Sequence, residues 1–286
     1  MKTSRTNTIG VIIPEIDDAY FSKVVASISN YLHKEHYGML VVDFGLDPER
    51  EIQAVDFLCS KQVDGIIDMP SNLTGEHLQR AKKQNLPIVL FDRSIDGQDL
   101  ITVKSDNFKA IDLAIQYLFE KGHRNIGFIS GNQKIETARE REKAYYKSLD
   151  QLGVDKKLRY VGRSDYVTTE SAADTVKQLL EKHPNISAVF ASNMITMIGC
   201  LHAFNEMNIK IPDDLSFVGF DDLRFAKAYS PQLTIVEQPI DQIAKEIIEI
   251  MLKLIEGEIK QHKEEIIFDP WLIKGDSVKD LSKDSR

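Results

Sequence analysis

The sequence predicts an α/β protein of two doubly wound parallel-sheet lobes joined by three crossings of the chain. Short β-branched runs alternate with longer stretches of helical period, over 9–84 and again over 125–220. That alternation builds βαβ units and parallel sheets. At 286 residues the chain can bury two separate cores. No low-complexity linker divides the two series, so short strand-like crossings near 103–106, 236–239 and 264–268 must join them.

In the first series, strands at 9–14, 39–43 and 65–69 precede helices at 21–36, 49–61 and 76–84, and strands at 88–92 and 101–103 complete it. Asp47-Pro48 marks a helix start, because the carboxylate can cap free N–H groups and proline suits the first helical position. Gly122 stops the helix that carries Ala110, Ile111, Ala114, Ile115 and Leu118. The second series has strands at 125–130, 158–162, 188–192 and 215–220, with helices between them. A strand at 234–238 leads into an amphipathic helix with Ile240, Ile243, Ala244, Ile247, Met251 and Leu254, ended by Gly257. A last strand covers 265–273. One lobe is thus expected over 7–103 and 239–264, the other over 104–238 and 265–276, with a solvated tail at 277–286.

Composition narrows the function. A 42% hydrophobic, 28% charged chain without a long apolar run is globular and not membrane-embedded. Residues 1–7 lack the layout of a signal peptide, so a cytoplasmic location is expected. A net charge of −8 weighs against a phosphate-binding surface on this chain. Cys59 and Cys200 form no Cys-x-x-Cys pair and read as buried, reduced thiols.

In open α/β sheets, ligands bind beyond the carboxyl ends of the strands. The polar residues there are Asp17, Asp18 and Tyr20 with Phe21; Asp92 and Arg93; Ser105, Asp106 and Asn107; Ser192 and Asn193; and Asp221. Carboxylates and amides beside aromatic rings suit a polyhydroxylated ligand. Helix capping accounts for such residues equally well at Asp17, Asp18 and Asn107.

Catalytic machinery is not visible. Asp221-Asp222 are strand-end neighbours that point to opposite faces, and no Gly-x-Ser-x-Gly elbow, phosphate loop or dinucleotide fingerprint occurs. His33, Glu35 and His36 read as an exposed helix end, and no metal or other cofactor is expected. Phe204, Met197, Met207 and Met251 fall at core spacing, and Trp271 reads as packing or as part of a crossing.

The segments Thr8 to Pro14, Val63 to Ile67, Ser105-Asp-Asn107, Lys121-Gly-His-Arg-Asn-Ile126 and Ile211 to Asp222, with Pro231 to Thr234 and Gln238-Pro239, resemble the lactose-repressor (LacI/GalR) family of bacterial transcription regulators. The resemblance spans nearly the whole chain. It implies a periplasmic-binding-protein-like type I fold, a homodimer, and lobes that close on a sugar or purine effector. Carried over, Tyr20 and Phe21 correspond to an aromatic wall, Asp92 and Val103 to the first-lobe floor, and Thr137 and Arg141 to a polar grip. Tyr166 corresponds to a stacking aromatic, and Asn193, Asp221 and Gln238 complete the pocket. Met194, Met197 and Ala144 depart from the family's usual aspartate, small residue and glycine.

Family members carry a helix-turn-helix headpiece ahead of the sensor, and the sequence from Thr8 onward corresponds to the sensor alone. The resemblance implies that effector binding shifts the lobe equilibrium and that operator DNA is contacted through the headpiece. A free-standing sugar-binding protein of a transporter shares the fold and would need an export signal or anchor. A sugar-processing enzyme would need a catalytic carboxylate or nucleophile.

Overall fold

A computed structural model describes residues 5–71, 74–221 and 223–282. Two compact units emerge, Met1–Ser105 with Pro239–Phe268, and Asp106–Gln238 with Asp269–Arg286. The chain passes from one to the other three times.

The first unit contains β1 (Thr8–Ile13), α1 (Ala19–Lys34), β2 (Gly38–Asp43), α2 (Pro48–Ser60), β3 (Gly65–Asp68), α3 (Gln79–Lys83), β4 (Ile88–Phe91) and β5 (Ile101–Ser105). The second contains α4 (Asn107–Glu120), β6 (Ile126–Ser130), α5 (Glu136–Gln151), β7 (Arg159–Arg163), α6 (Thr169–Lys182) and β8 (Ala188–Ala191). It continues with α7 (Met194–Glu206), β9 (Ser216–Phe220), α8 (Leu223–Ala228) and β10 (Thr234–Glu237). The chain then returns to the first unit for α9 (Ile240–Glu256) and β11 (Glu264–Phe268), and ends in the second with β12 (Trp271–Ile273).

Five parallel strands in each of the two sheets share one topology, and the sixth differs in direction between the sheets. Their orders are β11-β5-β4-β3-β1-β2 and β12-β10-β9-β8-β6-β7. In the first unit, α1 starts at an Asp18 cap and buries Tyr20, Val24, Ile28 and Leu32, a four-residue spacing that keeps one stripe inward. That stripe shares a core with Ile243, Ile247 and Met251 of α9. Each such aliphatic side chain contributes about 1.5–3 kcal/mol on leaving water. Gly257 ends α9 in the left-handed region, at a φ of 76°.

Several expectations change. The strand expected over 265–273 is two strands in different sheets, because Pro270 has no N–H to extend a ladder. β11 pairs parallel with β5 from Glu264 to Phe268, so the chain leaves the first unit after Phe268 instead of Glu264. β12 pairs antiparallel with β10.

Residues 277–282 of the expected solvated tail are docked on the second unit, and the remainder lies outside the described residues. Ser277 is fully buried, its hydroxyl donating to the Phe217 carbonyl (2.6 Å) and accepting from the Thr234 N–H (2.8 Å). Lys121 pairs with Asp280 at 2.9 Å, and the Leu281 N–H donates to the Lys121 carbonyl. Trp271 is 43% exposed, pointing off an edge strand, and Met207 is exposed because it falls at the C-cap of α7. Cys59 and Cys200 are buried free thiols.

Candidate functional site

In the second unit the polar residues gather at the carboxyl ends of the strands. Arg141 lies on α5 one turn after Thr137, and both are buried. Its Nε donates to Asn107 Oδ1 (2.7 Å), and its Nη1 donates to the Ser192 carbonyl (2.6 Å) and to the Tyr166 hydroxyl (3.2 Å). The guanidinium carbon lies 4.2 Å from the centroid of the Phe220 ring. A cation this desolvated persists only where donors are satisfied and an aromatic face lies alongside. Arg141 is therefore a built feature of the interior, and a surface helix charge is excluded.

Tyr166 holds a φ of 73° and donates its hydroxyl to the same Ser192 carbonyl at 3.1 Å. Gly131 makes room for it: a Cβ there would collide with the Tyr166 ring. Asp221 also has a positive φ, 73°, and its N–H donates to the Val236 carbonyl of β10 (2.8 Å). Its Oδ1 accepts from Gln238 Nε2 at 2.7 Å, while Gln238 Oε1 is buried without a partner among the described residues. Asp222 lies outside the described residues.

Asn193 is a helix cap. Its Oδ1 accepts from the Thr196 N–H (2.8 Å) and the Thr196 hydroxyl accepts from the Asn193 N–H (3.0 Å), a capping box at the start of α7.

The first unit repeats the theme with fewer polar atoms. Tyr20, in the first turn of α1, donates its hydroxyl to Asp92 Oδ1 at 3.3 Å and meets Phe21 edge-on at 5.5 Å. Asp92 follows β4 with a φ of 66°, its N–H donating to the Val103 carbonyl (3.0 Å). The Val103 side chain is fully buried in the core, so its evident part is to hold Asp92 through its backbone. Asp18 caps α1, and burial pushes its carboxyl above the usual range, with Asp17 and Asp92 adding to the effect.

Sequence reasoning left Asn107 between capping and ligand contact. Capping does not describe it: Asp106 caps α4, and Asn107 links Arg141 to Glu140, donating Nδ2 to Glu140 Oε2 at 2.8 Å. The signal lay in the neighbouring Asp106, which already fills the cap position. Phe220, which seats Arg141 by its ring, carried no such signal, and Ser192, one of the polar strand-end residues, acts on Arg141 through its carbonyl and not its side chain. The assembled chemistry is one of fixed donors and acceptors beside aromatic faces, which suits binding of hydroxyl-rich molecules.

Residues 115–278 match the family of periplasmic binding protein-like domains. The chain is 30% identical over 260 residues to catabolite control protein A of Priestia megaterium, covering 90% of this chain and 78% of that protein. It is 29% identical over 258 residues to the HTH-type transcriptional repressor CytR of Escherichia coli, covering 90% and 75%. Its fold matches that of a periplasmic binding protein/LacI transcriptional regulator from Alkaliphilus metalliredigens complexed with D-xylulofuranose. That match has a TM-score of 0.85 and 25% identity, and covers 96% of this chain and 99% of the other. With the two six-stranded sheets and the strand-end residues in place, the chain belongs to the LacI/GalR family of transcriptional regulators.

Proposed function

We propose that this regulator senses a sugar through Tyr20, Phe21, Asp92, Val103, Thr137, Arg141, Tyr166, Asn193, Asp221 and Gln238, and that it acts without catalysis. The observation that carries the reading is Arg141, a buried guanidinium held rigid by Asn107, Tyr166 and Ser192. A guanidinium fixed against an aromatic ring, at the same strand ends as Asp221, suits recognition of hydroxyl groups, and its rigidity lowers the ordering cost of binding. The sugar-bound structure from A. metalliredigens supports the same ligand class. Asp221 is engaged by the Gln238 amide, a setting for a binding carboxylate and not for a proton-transfer pair.

In this reading the protein works as a homodimer in the cytoplasm, and effector occupancy controls binding of operator DNA through a helix-turn-helix headpiece. Among the described residues, no helix is long and apolar enough to cross a membrane. The test is a thermal-shift panel of pentoses, hexoses, their phosphates and purines. A ligand present at a hundred times its dissociation constant adds about 2.7 kcal/mol of stability. A shift with free sugars supports the reading; a shift with purines alone replaces the sugar, and no shift with any of them refutes the sensor.

A further inference from the structure

Glu51, Asp68 and His77 form a buried cluster in the first unit that effector binding does not use. Glu51 lies in the first turn of α2, Asp68 ends β3, and His77 sits in a 3-10 turn at Glu76–Leu78. All three side chains are fully buried. His77 Nε2 is 2.8 Å from Asp68 Oδ2 and 3.6 Å from Glu51 Oε1. One ligand atom from each residue lies within 4.8 Å of the other two. In sequence the three are far apart and match no short ligand motif, which is why residue spacing pointed to no metal.

We propose that these three residues bind a divalent transition-metal ion of the zinc type. Two carboxylates and an imidazole, gathered in the interior from three separate elements, are a donor set for a divalent transition-metal ion, and a bound cation offsets the cost of burying the carboxylates. An ion about 2.0–2.2 Å from each donor holds its ligand atoms roughly 3–4 Å apart, so the observed separations need only a slight opening.

Two further observations point the same way. Asp68 Oδ1 is buried and has no hydrogen-bond partner among the described residues, so a cation could satisfy it. Ser71 orients Glu51 from behind, its N–H donating to Oε1 (2.8 Å) and its hydroxyl to Oε2 (2.6 Å), the outer support that metal carboxylates require. One imidazole nitrogen with two carboxylate oxygens favours zinc, manganese, iron or cobalt over the all-oxygen cages of calcium and magnesium. On binding, His77 coordinates through Nε2 and the ring proton resides on Nδ1.

The experiment uses the tag-free chain, stripped with chelator and dialysed against zinc, manganese, cobalt or magnesium chloride. Metal content is read by mass spectrometry and stability by melting midpoint. The expected result is one equivalent of a transition metal per chain, a midpoint raised by roughly 5 °C at saturation, and no effect of magnesium. In His77→Gln and Glu51→Gln the equivalent and the shift are both lost. Should either variant fail to fold, the cobalt absorption spectrum of the wild-type chain decides, since one imidazole and two carboxylates give a distinct band set from bulk ion. Wild-type protein that holds no stoichiometric metal overturns the proposal. So does binding that survives in folded His77→Gln, which would place the metal away from this cluster.

Discussion

Asp92 and Asp221 occupy the same position in the five-strand order that the two sheets share. Each follows its strand, β4 or β9, with a positive φ, and each donates its N–H to the neighbouring strand, to Val103 or Val236. Aspartate and asparagine tolerate this left-handed conformation better than other residues with a Cβ. Asp221→Asn should therefore leave the melting midpoint unchanged while abolishing a sugar-dependent thermal shift. Asp221→Ala should lose the shift and also about 1 kcal/mol of stability. Denaturant melts with and without sugar separate the two effects.

Gly131 tests whether Tyr166 must stay where it is. A methyl group at Gly131→Ala forces the ring away from the Ser192 carbonyl and from Arg141. We expect a stability cost of about 1–3 kcal/mol and weaker sugar binding by titration calorimetry. Tyr166→Phe, which keeps the ring and loses only the hydroxyl, should weaken binding less.

Much of the fold was legible because its signals are local. Alternating strand and helix periods, the Asp47-Pro48 start and the Gly257 stop are set by a few adjacent residues. The lobe order of β11 and β12 was not, since one proline decides it and only the partner strands show which sheet each joins. At the site, Asp221 stood out by residue type at a strand end, whereas Arg141 was indicated only by the family resemblance. The bonds that seat Arg141 come from residues 34 and 51 positions away, one through a backbone carbonyl, and no sequence pattern reports such a contact.

Ser277 ties the C-terminal segment to the second sheet by two buried hydrogen bonds. Ser277→Ala leaves the Thr234 N–H and the Phe217 carbonyl without that partner. A loss of about 1–3 kcal/mol is expected in urea melts. A chain ending at Asp276 should lose more, as it also gives up the Lys121 pair with Asp280.

His123 should make stability fall on the acid side. Burial holds its imidazole below the usual range, and Arg124 adds to this against the Lys279 carbonyl, which Nε2 meets at 3.1 Å. Because the folded pKa is depressed, the unfolded chain takes up the proton first as pH falls through 6.5, and stability is lost from there downward. In His123→Gln the midpoint between pH 7.5 and 5.5 should decline less steeply than in wild type. Equal slopes would remove His123 from the account.

The claim that Arg141 grips the effector has one direct measurement: calorimetric titration of the sugar giving the largest thermal shift into wild type and Arg141→Lys. Lysine keeps the charge and loses the planar fork, and burial of Asn107 Oδ1 and the Ser192 carbonyl makes Arg141→Ala destabilising by about 3 kcal/mol, so the milder change is the cleaner probe. The account predicts a single site per chain in wild type and at least tenfold weaker binding in folded Arg141→Lys. Equal affinity in the two proteins would contradict it.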